Sequence, residues 1–361
     1  MSAEGSAADS DLPILRPASR TDCDAGAGTF LQTGFWGAFK SEFGWKPLHF
    51  LAGQPGESLL VLERSLVRGF SFAYIPRGPG AKNPGAADPR RLADIAEALR
   101  PRLSGECVFL RVDPAWYAEE GEGTTTPLPA YPFRKAGTDV QPPDTSVLPL
   151  RGASDEDLVS RMKPKWRYNI RYAEKKGVVV STESGPGAVR TFYSLYRATS
   201  LRDRIALHPE RYYERLVSLA GEYGDGAPDI RVWIARYRGE ALAAIITSFF
   251  GDEAVYLYGA SGDEHRNLMP AYALQWAAVR AARDAGCGSY DFFGIPPSDD
   301  PGHPMAGLYR FKTGFGGVTR RYPGSWDYPL RKLPYGAYRA AESLRGFWHK
   351  TLRKRLTGGR R

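Results

Sequence analysis

Apolar residues recur along this chain with two periods, and the order of those periods describes an α/β protein that repeats itself. Positions 28–44 carry a helical pattern; strands are expected at about 58–66 and 70–76, a helix at 89–102 and a strand at 106–112. The same order then returns, with a helix at about 187–221, strands at 229–237, 241–250 and 253–259, a helix at 270–285 and a strand at 288–294. In each half a strand ends in a Gly-rich turn, PRGPG at 76–80 and GASG at 259–262, before a helix and another strand. Two α/β units of one kind are expected.

Between the halves lies KPKWRYNIRYAEKKG, Lys163 to Gly177. Read as a helix, it puts Leu158, Met162, Trp166, Ile170 and Ala173 on one face and Lys163, Arg167, Arg171 and Lys175 on the other. Pro164 should break or kink it, after a first turn capped by Ser154 and Asp157. The basic face fits either a polyanion or plain solvation.

Composition narrows the setting. The 361 residues leave room for two domains, and 42% hydrophobic with 12% aromatic content is that of a folded chain. The net charge of +9 favours anionic partners without choosing among nucleic acid, nucleotide diphosphates and an acidic membrane surface. Cys23, Cys107 and Cys287 are odd in number and far apart, so they offer neither a disulfide framework nor a zinc knuckle and fit a reducing cytoplasm. MSAEGSAADSDL at the start lacks the apolar core of a secretory signal. The longest apolar run, Ala241 to Phe250, is half the roughly 20 residues that span a bilayer.

A second segment, GLYRFKTGFGG at 307–317, sets Lys312 between aromatics among glycines. With the basic helix it resembles the Fem family (FemABX), and further matches lie in order: FLQTGFWGAFK at 30–40, LRVDP at 110–114, VQPPDT at 140–145, YLYGAS at 256–261 and RNLMPAYALQW at 266–276. The strand-strand-helix-strand order suits the GNAT (acyl-CoA N-acyltransferase-like) fold, and the resemblance implies two such domains in tandem. The expected division is a disordered tail at 1–27, a first domain of 28–147 plus 318–343, a second of 148–317, and a basic amphipathic tail at 344–361. The last strand, about 318–330, is expected to cross back into the first domain. No heptad-patterned pair marks the long helical hairpin that some members insert.

The resemblance implies transfer of an amino acid from aminoacyl-tRNA to the stem peptide of a peptidoglycan precursor, either lipid II or UDP-MurNAc-pentapeptide. Glycine is the expected amino acid. Such a reaction needs an amine nucleophile, an activated ester and oxyanion stabilisation, and no metal or cofactor. The absence of HExxH and GxSxG patterns agrees with that. Lys312, flanked by Phe311 and Phe315, is the first candidate for a desolvated cation acting on an oxyanion or on a tRNA phosphate; a lysine snorkelling from an aromatic core is the alternative. Asp113, at a strand end before proline, is by resemblance an organiser of the acceptor amine, and otherwise a turn cap.

By resemblance, too, Lys40 contacts the precursor diphosphate, and Ser200 with Arg202 forms a phosphate clamp, although Arg204 stands where many members have glycine. Tyr256 and Tyr258 alternate with Leu257, so their hydroxyls should share a face; the resemblance implies that a tyrosine here, Tyr258 being the closer match, meets the precursor, with Phe311 as another contact, and both tyrosines could instead simply pack. Lys163, Lys165, Arg167 and Arg171 would track tRNA phosphates. The stripe of Leu344, Phe347, Trp348, Leu352 and Leu356, with Arg345, Lys350, Arg353, Lys354 and Arg355, fits either peripheral contact with an anionic bilayer or packing on the first domain. A monomer is expected, in the cytoplasm or at the inner membrane face. The competing readings are an acyl-CoA N-acyltransferase, whose pyrophosphate loop has no clean copy here, and a non-catalytic RNA-binding protein.

Overall fold

The computed structural model describes residues 15–53, 57–79, 87–122, 127–129, 131–203 and 205–347. They divide into two compact units. The first gathers the described residues of Met1–Ala115, Pro127–Val140 and Gly324–Arg361. It contains β1 (Leu15–Pro17), α1 (Arg20–Gly26), α2 (Gly34–Ser41), β2 (Lys46–Ala52), β3 (Glu57–Val67), β4 (Phe70–Ile75), α3 (Pro89–Leu99) and β5 (Cys107–Val112). The second, Trp116–Thr126 and Gln141–Pro323, takes β6 (Ala118–Glu119) before the chain returns to the first for β7 (Arg134–Lys135). The second unit then holds β8 (Asp144–Pro149), α4 (Asp155–Arg161), α5 (Pro164–Lys175), β9 (Val179–Glu183), α6 (Gly185–Asp203), α7 (Glu210–Tyr223), β10 (Asp229–Tyr237) and β11 (Glu240–Phe250). Its later elements are β12 (Glu253–Ser261), α8 (Pro270–Asp284), β13 (Ser289–Gly294), α9 (Ala306–Thr313) and β14 (Val318–Arg321). β15 (Trp326–Pro329) and α10 (Lys332–Phe347) belong to the first unit.

Strand order is β1-β2-β3-β4-β5-β15-β7 in the first unit and β6-β14-β8-β13-β12-β11-β10-β9 in the second. Each sheet runs antiparallel except at one parallel pair, β4/β5 and β12/β13, so each unit is GNAT-like as expected. The strand beyond the parallel pair comes from elsewhere in the chain: β15 joins β5, and β8 joins β13. The first unit is fixed there by Arg111 and Asp327, both buried and joined by bonds of 2.7 and 3.0 Å. The second unit's largest core packs Leu158, Met162, Ile170 and Ala173 against Leu274, Ala278, Tyr290 and Phe292.

Several boundaries differ from expectation. Residues 15–27 are not a disordered tail, because β1 pairs with β2 and Leu15, Cys23 and Ala27 are buried. Too few apolar positions mark this stretch for a period to show. The expected strand at 318–330 is two strands, and only β15 crosses to the first unit, while β14 stays on β8. Residues 116–122 and 141–147 likewise fall in the second unit. The helix expected at 187–221 is two, with α7 restarting after Pro209, which has no N–H to continue a helix. Arg204 and residues 348–361 of the basic tail lie outside the described residues. Up to Phe347 the chain is the helix α10, whose Tyr335 and Tyr338 pack on Phe109.

Candidate active site

The second unit's parallel pair is short. β12 and β13 meet only at Glu253–Val255 with Ser289–Asp291, and then both continue without pairing to each other, to Ser261 and Gly294. β12 bulges between Tyr256 and Tyr258, and β13 slips register between Asp291 and Gly294, where Phe293 takes φ +63°. Lys312 stands at this opening. Its Nζ donates to the Gly294 carbonyl at 2.9 Å and lies 5.2 Å from the centre of the Tyr256 ring, so it touches both separated strands. Only 5% of the residue is exposed, and burial pushes its ammonium down to about 7, against the opposite pull of Asp291. On β8, opposite Gly294, the Thr145 hydroxyl is buried and makes no hydrogen bond among the described residues, as does its neighbour Ser146.

Lys312 is in the last turn of α9 and not in the glycine-rich turn itself, and its aromatic neighbour is Tyr256, which sequence spacing did not select for this role. Phe311 and Phe315 turn elsewhere: Phe311 packs edge-on against Tyr272 and Phe315, and Phe315 stacks on Phe292. The glycines answer to close approach. A Cβ on Gly314 would meet Trp166 at 2.2 Å, and one on Gly316, at φ +88°, would meet the Arg161 carbonyl at 2.5 Å. Trp166 Nε1 donates to the Phe311 carbonyl at 2.8 Å, and the Lys163 amide to the Gly314 carbonyl at 2.9 Å. The basic helix is therefore bonded to the turn that carries Lys312.

That helix breaks where Pro164 requires, and Ser154 and Asp157 close the expected capping box on α4. Lys163, Lys165 and Arg171 are exposed. Arg167 is not on the free face: it is half-buried and donates to the carbonyls of Met162 at 2.7 Å and Ser160 at 3.3 Å, capping α4.

The expectation that Tyr256 and Tyr258 share a face rested on unbroken alternation, which the bulge at Leu257 removes. Tyr256 lies under Lys312, and its hydroxyl fills the space where a Cβ of Gly259 would be. Tyr258 instead joins a group of rings with Tyr213 at 5.1 Å and Tyr196 at 6.5 Å, and burial raises its hydroxyl well above the usual phenol range. His208 stacks on Tyr212 at 4.0 Å in the same group. Arg202 does not present a bare guanidinium: it bonds Asp203, Asp263 and both Ser261 oxygens, drawing the end of α6 onto β12. The Ser200 hydroxyl donates to the Ile205 carbonyl at 2.6 Å.

In the first unit Asp113 follows β5 and is 1% exposed. Its two carboxylate oxygens accept from the Tyr74 and Ser325 hydroxyls, and its carbonyl accepts from the Gly78 amide of the PRGPG turn. Ser325 is fixed in turn by Asp139 and by the Val140 amide. Neither Tyr74 nor Ser325 could be found from sequence, since Ser325 lies 212 positions from Asp113. Lys40 lies 5.4 Å from the Trp36 ring and 5.7 Å from Trp45, whose ring Arg64 also approaches, at 5.3 Å. Burial, aided by Arg64, lowers the Lys40 ammonium to about 8. Among the described residues no group of three or more His, Cys, Asp or Glu is placed to hold a metal ion, and no helix is long and apolar enough to cross a membrane.

Comparison with known proteins agrees with this architecture. A lipid II:glycine glycyltransferase of Staphylococcus aureus (strain USA300) is 22% identical over 381 aligned positions, covering 85% of this chain and 90% of that protein. The crystal structure of FemX superposes with a TM-score of 0.75 at 20% identity, over 90% of this chain and 99% of that one, and shows the same fold. The FemAB family profile matches residues 130–228 and 231–343, more than half of the sequence. The chain belongs to the FemAB family.

Proposed function

We propose that the protein is an aminoacyltransferase that moves an amino acid, glycine, from aminoacyl-tRNA to the stem peptide of a peptidoglycan precursor, with lipid II as acceptor. The observation that carries the reading is Lys312, a nearly buried cation at the open end of a parallel strand pair. The similarity to a lipid II:glycine glycyltransferase supports the acceptor and the amino acid.

In this reaction the acceptor's amine attacks the ester carbonyl of the donor. An amide bond forms, the ester C–O bond breaks, and the ribose hydroxyl leaves with a proton that the attacking ammonium loses through solvent. Lys312 acts as the cation that offsets charge on the tetrahedral oxygen, and low exposure strengthens that effect. Its hold on Gly294 and on the Tyr256 ring keeps the ammonium in place before substrate arrives. In the first unit Asp113 serves the acceptor as a positioning residue that fixes the Tyr74 and Ser325 hydroxyls, and Lys40 with Arg64 meets the diphosphate. Lys163, Lys165 and Arg171 meet donor phosphates. The test is mass spectrometry of lipid II and of UDP-MurNAc-pentapeptide after incubation with the protein, ATP, total tRNA, synthetases and mixed amino acids. A gain of one glycine on lipid II that RNase abolishes is expected. No RNase-sensitive gain on either acceptor overturns the reading.

A further inference from the structure

Of the five large apolar side chains left exposed among the described residues of the first unit, three lie at one end of its sheet, and the other two are Tyr131 and Val140. Leu66 and Val67, 49% and 67% exposed, form the tip of the β3–β4 hairpin, and Leu333, 89% exposed, opens α10. Hydrogen bonds place these segments together. The Ser71 amide, just past the hairpin tip, donates to Glu106; the Arg331 amide donates to Val108, and its guanidinium to the Gly105 carbonyl at 3.3 Å. Hairpin tip, 104–106 loop and start of α10 are thus one surface, at the opposite end of β5 from Asp113, roughly 20 Å away along a six-residue strand.

The charge of this surface is mainly positive. Arg68, Arg102, Arg331 and Lys332 are exposed and form no ion pair among the described residues, against two exposed carboxylates, Glu106 and the Arg100-paired Glu97. Arg100 is left out of this set because Glu97 holds it at 2.8 Å. Aliphatic side chains at a hairpin tip and a helix start, ringed by guanidinium and ammonium groups, match the boundary of an anionic bilayer, where apolar groups enter the acyl region and cations meet headgroups. A protein partner with an acidic rim would need a concave counterpart to these protruding tips; a bilayer needs none.

We propose that this end of the first unit docks on an anionic lipid surface. The docking stands on the patch itself, and only its purpose rests on the proposed function: a lipid-linked acceptor would have its diphosphate at the membrane, near Lys40 and Arg64, and its peptide reaching toward Asp113. Arg64 pairs across the hairpin with Phe72, on which Trp45 packs at 5.4 Å, so those cations lie between the tip and the carboxylate.

The test is co-sedimentation of the full chain with vesicles of phosphatidylcholine alone or mixed with phosphatidylglycerol. The native protein should bind only the mixed vesicles, and less at high salt. The triple variant Leu66→Ser, Val67→Ser, Leu333→Ser should bind about tenfold more weakly or worse. Replacing Arg68, Arg102, Arg331 and Lys332 by Gln should weaken binding by about a hundredfold at low salt. Folding is followed by circular dichroism. As a second reading, an environment-sensitive dye on Leu333→Cys should shift to the blue with mixed vesicles, while the same dye on Val140→Cys should not. Unchanged binding by both variants overturns the proposal, as does binding lost only when Lys350, Arg353, Lys354 and Arg355 are neutralised. A change in self-association with no change in vesicle binding would assign the patch to a second copy instead, also overturning it. Because no reading involves transfer, failure here is separable from failure of the proposed reaction.

Discussion

The two units share a strand order and differ at the parallel pair. In the first, β4 and β5 stay paired from Ser71 with Cys107 to Ile75 with Val112. In the second, β12 and β13 part after Val255 and Asp291. The closed unit surrounds two of its buried charges with partners, giving Asp113 two hydroxyls and Arg111 a two-bond carboxylate. The open unit leaves Lys312 with one carbonyl and one ring. One arrangement satisfies a charge; the other leaves it ready for a ligand. The fold is the same, and the two units differ in how these buried charges are compensated.

The largest test of that contrast is Lys312→Met. Transfer should fall by about 10²–10³, the usual loss when one preorganised stabiliser of a developing oxyanion is removed. Thermal stability should not fall with it. The folded-state ammonium sits at about 7 and the ordinary value is 10.5, so below about 7 the folded protein carries a buried charge that Met lacks. Between those values the unfolded chain binds more protons, and the native protein gains stability relative to the variant as pH rises. Unfolding curves at pH 6 and pH 9 check the sign. The same value predicts that kcat/KM declines above about pH 7 as the cation is lost, and that this limb is absent from the residual activity of the variant.

Asp113→Asn probes the closed unit, with an expected loss of about tenfold to a hundredfold in use of the acceptor. Asn still accepts from Tyr74 or Ser325, so the fold should hold. Slow hydrolysis of the donor ester, which needs no acceptor, should be unchanged. Equal loss of both would show that Asp113 does not serve the acceptor alone.

How much of this could be read from sequence follows the range of the interactions. The capping box of Ser154 and Asp157, the break at Pro164 and the apolar face of α5 are local, and they stand where the pattern put them. Lys312 and Asp113 were visible as residues in motifs, but their partners were not. Tyr256 reaches Lys312 only because a bulge shifts β12, and bulges leave no mark in an alternating run. Arg167 looked equal to its neighbours on a helical wheel, yet the preceding helix end needed a cap, and its guanidinium supplies one. The crossing of β15 was expected, while β14 misled because a run of residues from 318 to 330 gives no sign that Pro323 and Gly324 divide it between two sheets.

A smaller effect tests how the open unit holds its lysine. Gly314 has φ −69°, where alanine is comfortable, so any penalty of Gly314→Ala comes from the Trp166 ring 2.2 Å from the new Cβ. About 1–3 kcal/mol of destabilisation is expected, with partial recovery on adding Trp166→Ala. Trp166→Phe alone removes the indole bond to the Phe311 carbonyl, a loss of about 1 kcal/mol, and should lower kcat a few-fold without changing affinity for the acceptor. Denaturant titrations and steady-state kinetics report the two effects separately.

The smallest effects belong to the exposed helix face. Replacing Lys163, Lys165 and Arg171 by Gln should weaken tRNA binding several-fold and lower the slope of log affinity against log salt by about 2–3, because each cation contributes a released counterion and little sequence preference. Stability should be unaffected, since these side chains are exposed. Arg167→Gln should do the reverse, lowering stability by about 1 kcal/mol through the lost cap on α4 and leaving the salt slope nearly unchanged. If Arg167 instead moved the slope as much as its neighbours, its bonds to Met162 and Ser160 would have to open when RNA binds. The basic helix would then rearrange on RNA binding, and the bond from Trp166 to the Phe311 carbonyl would carry that rearrangement to the helix that holds Lys312.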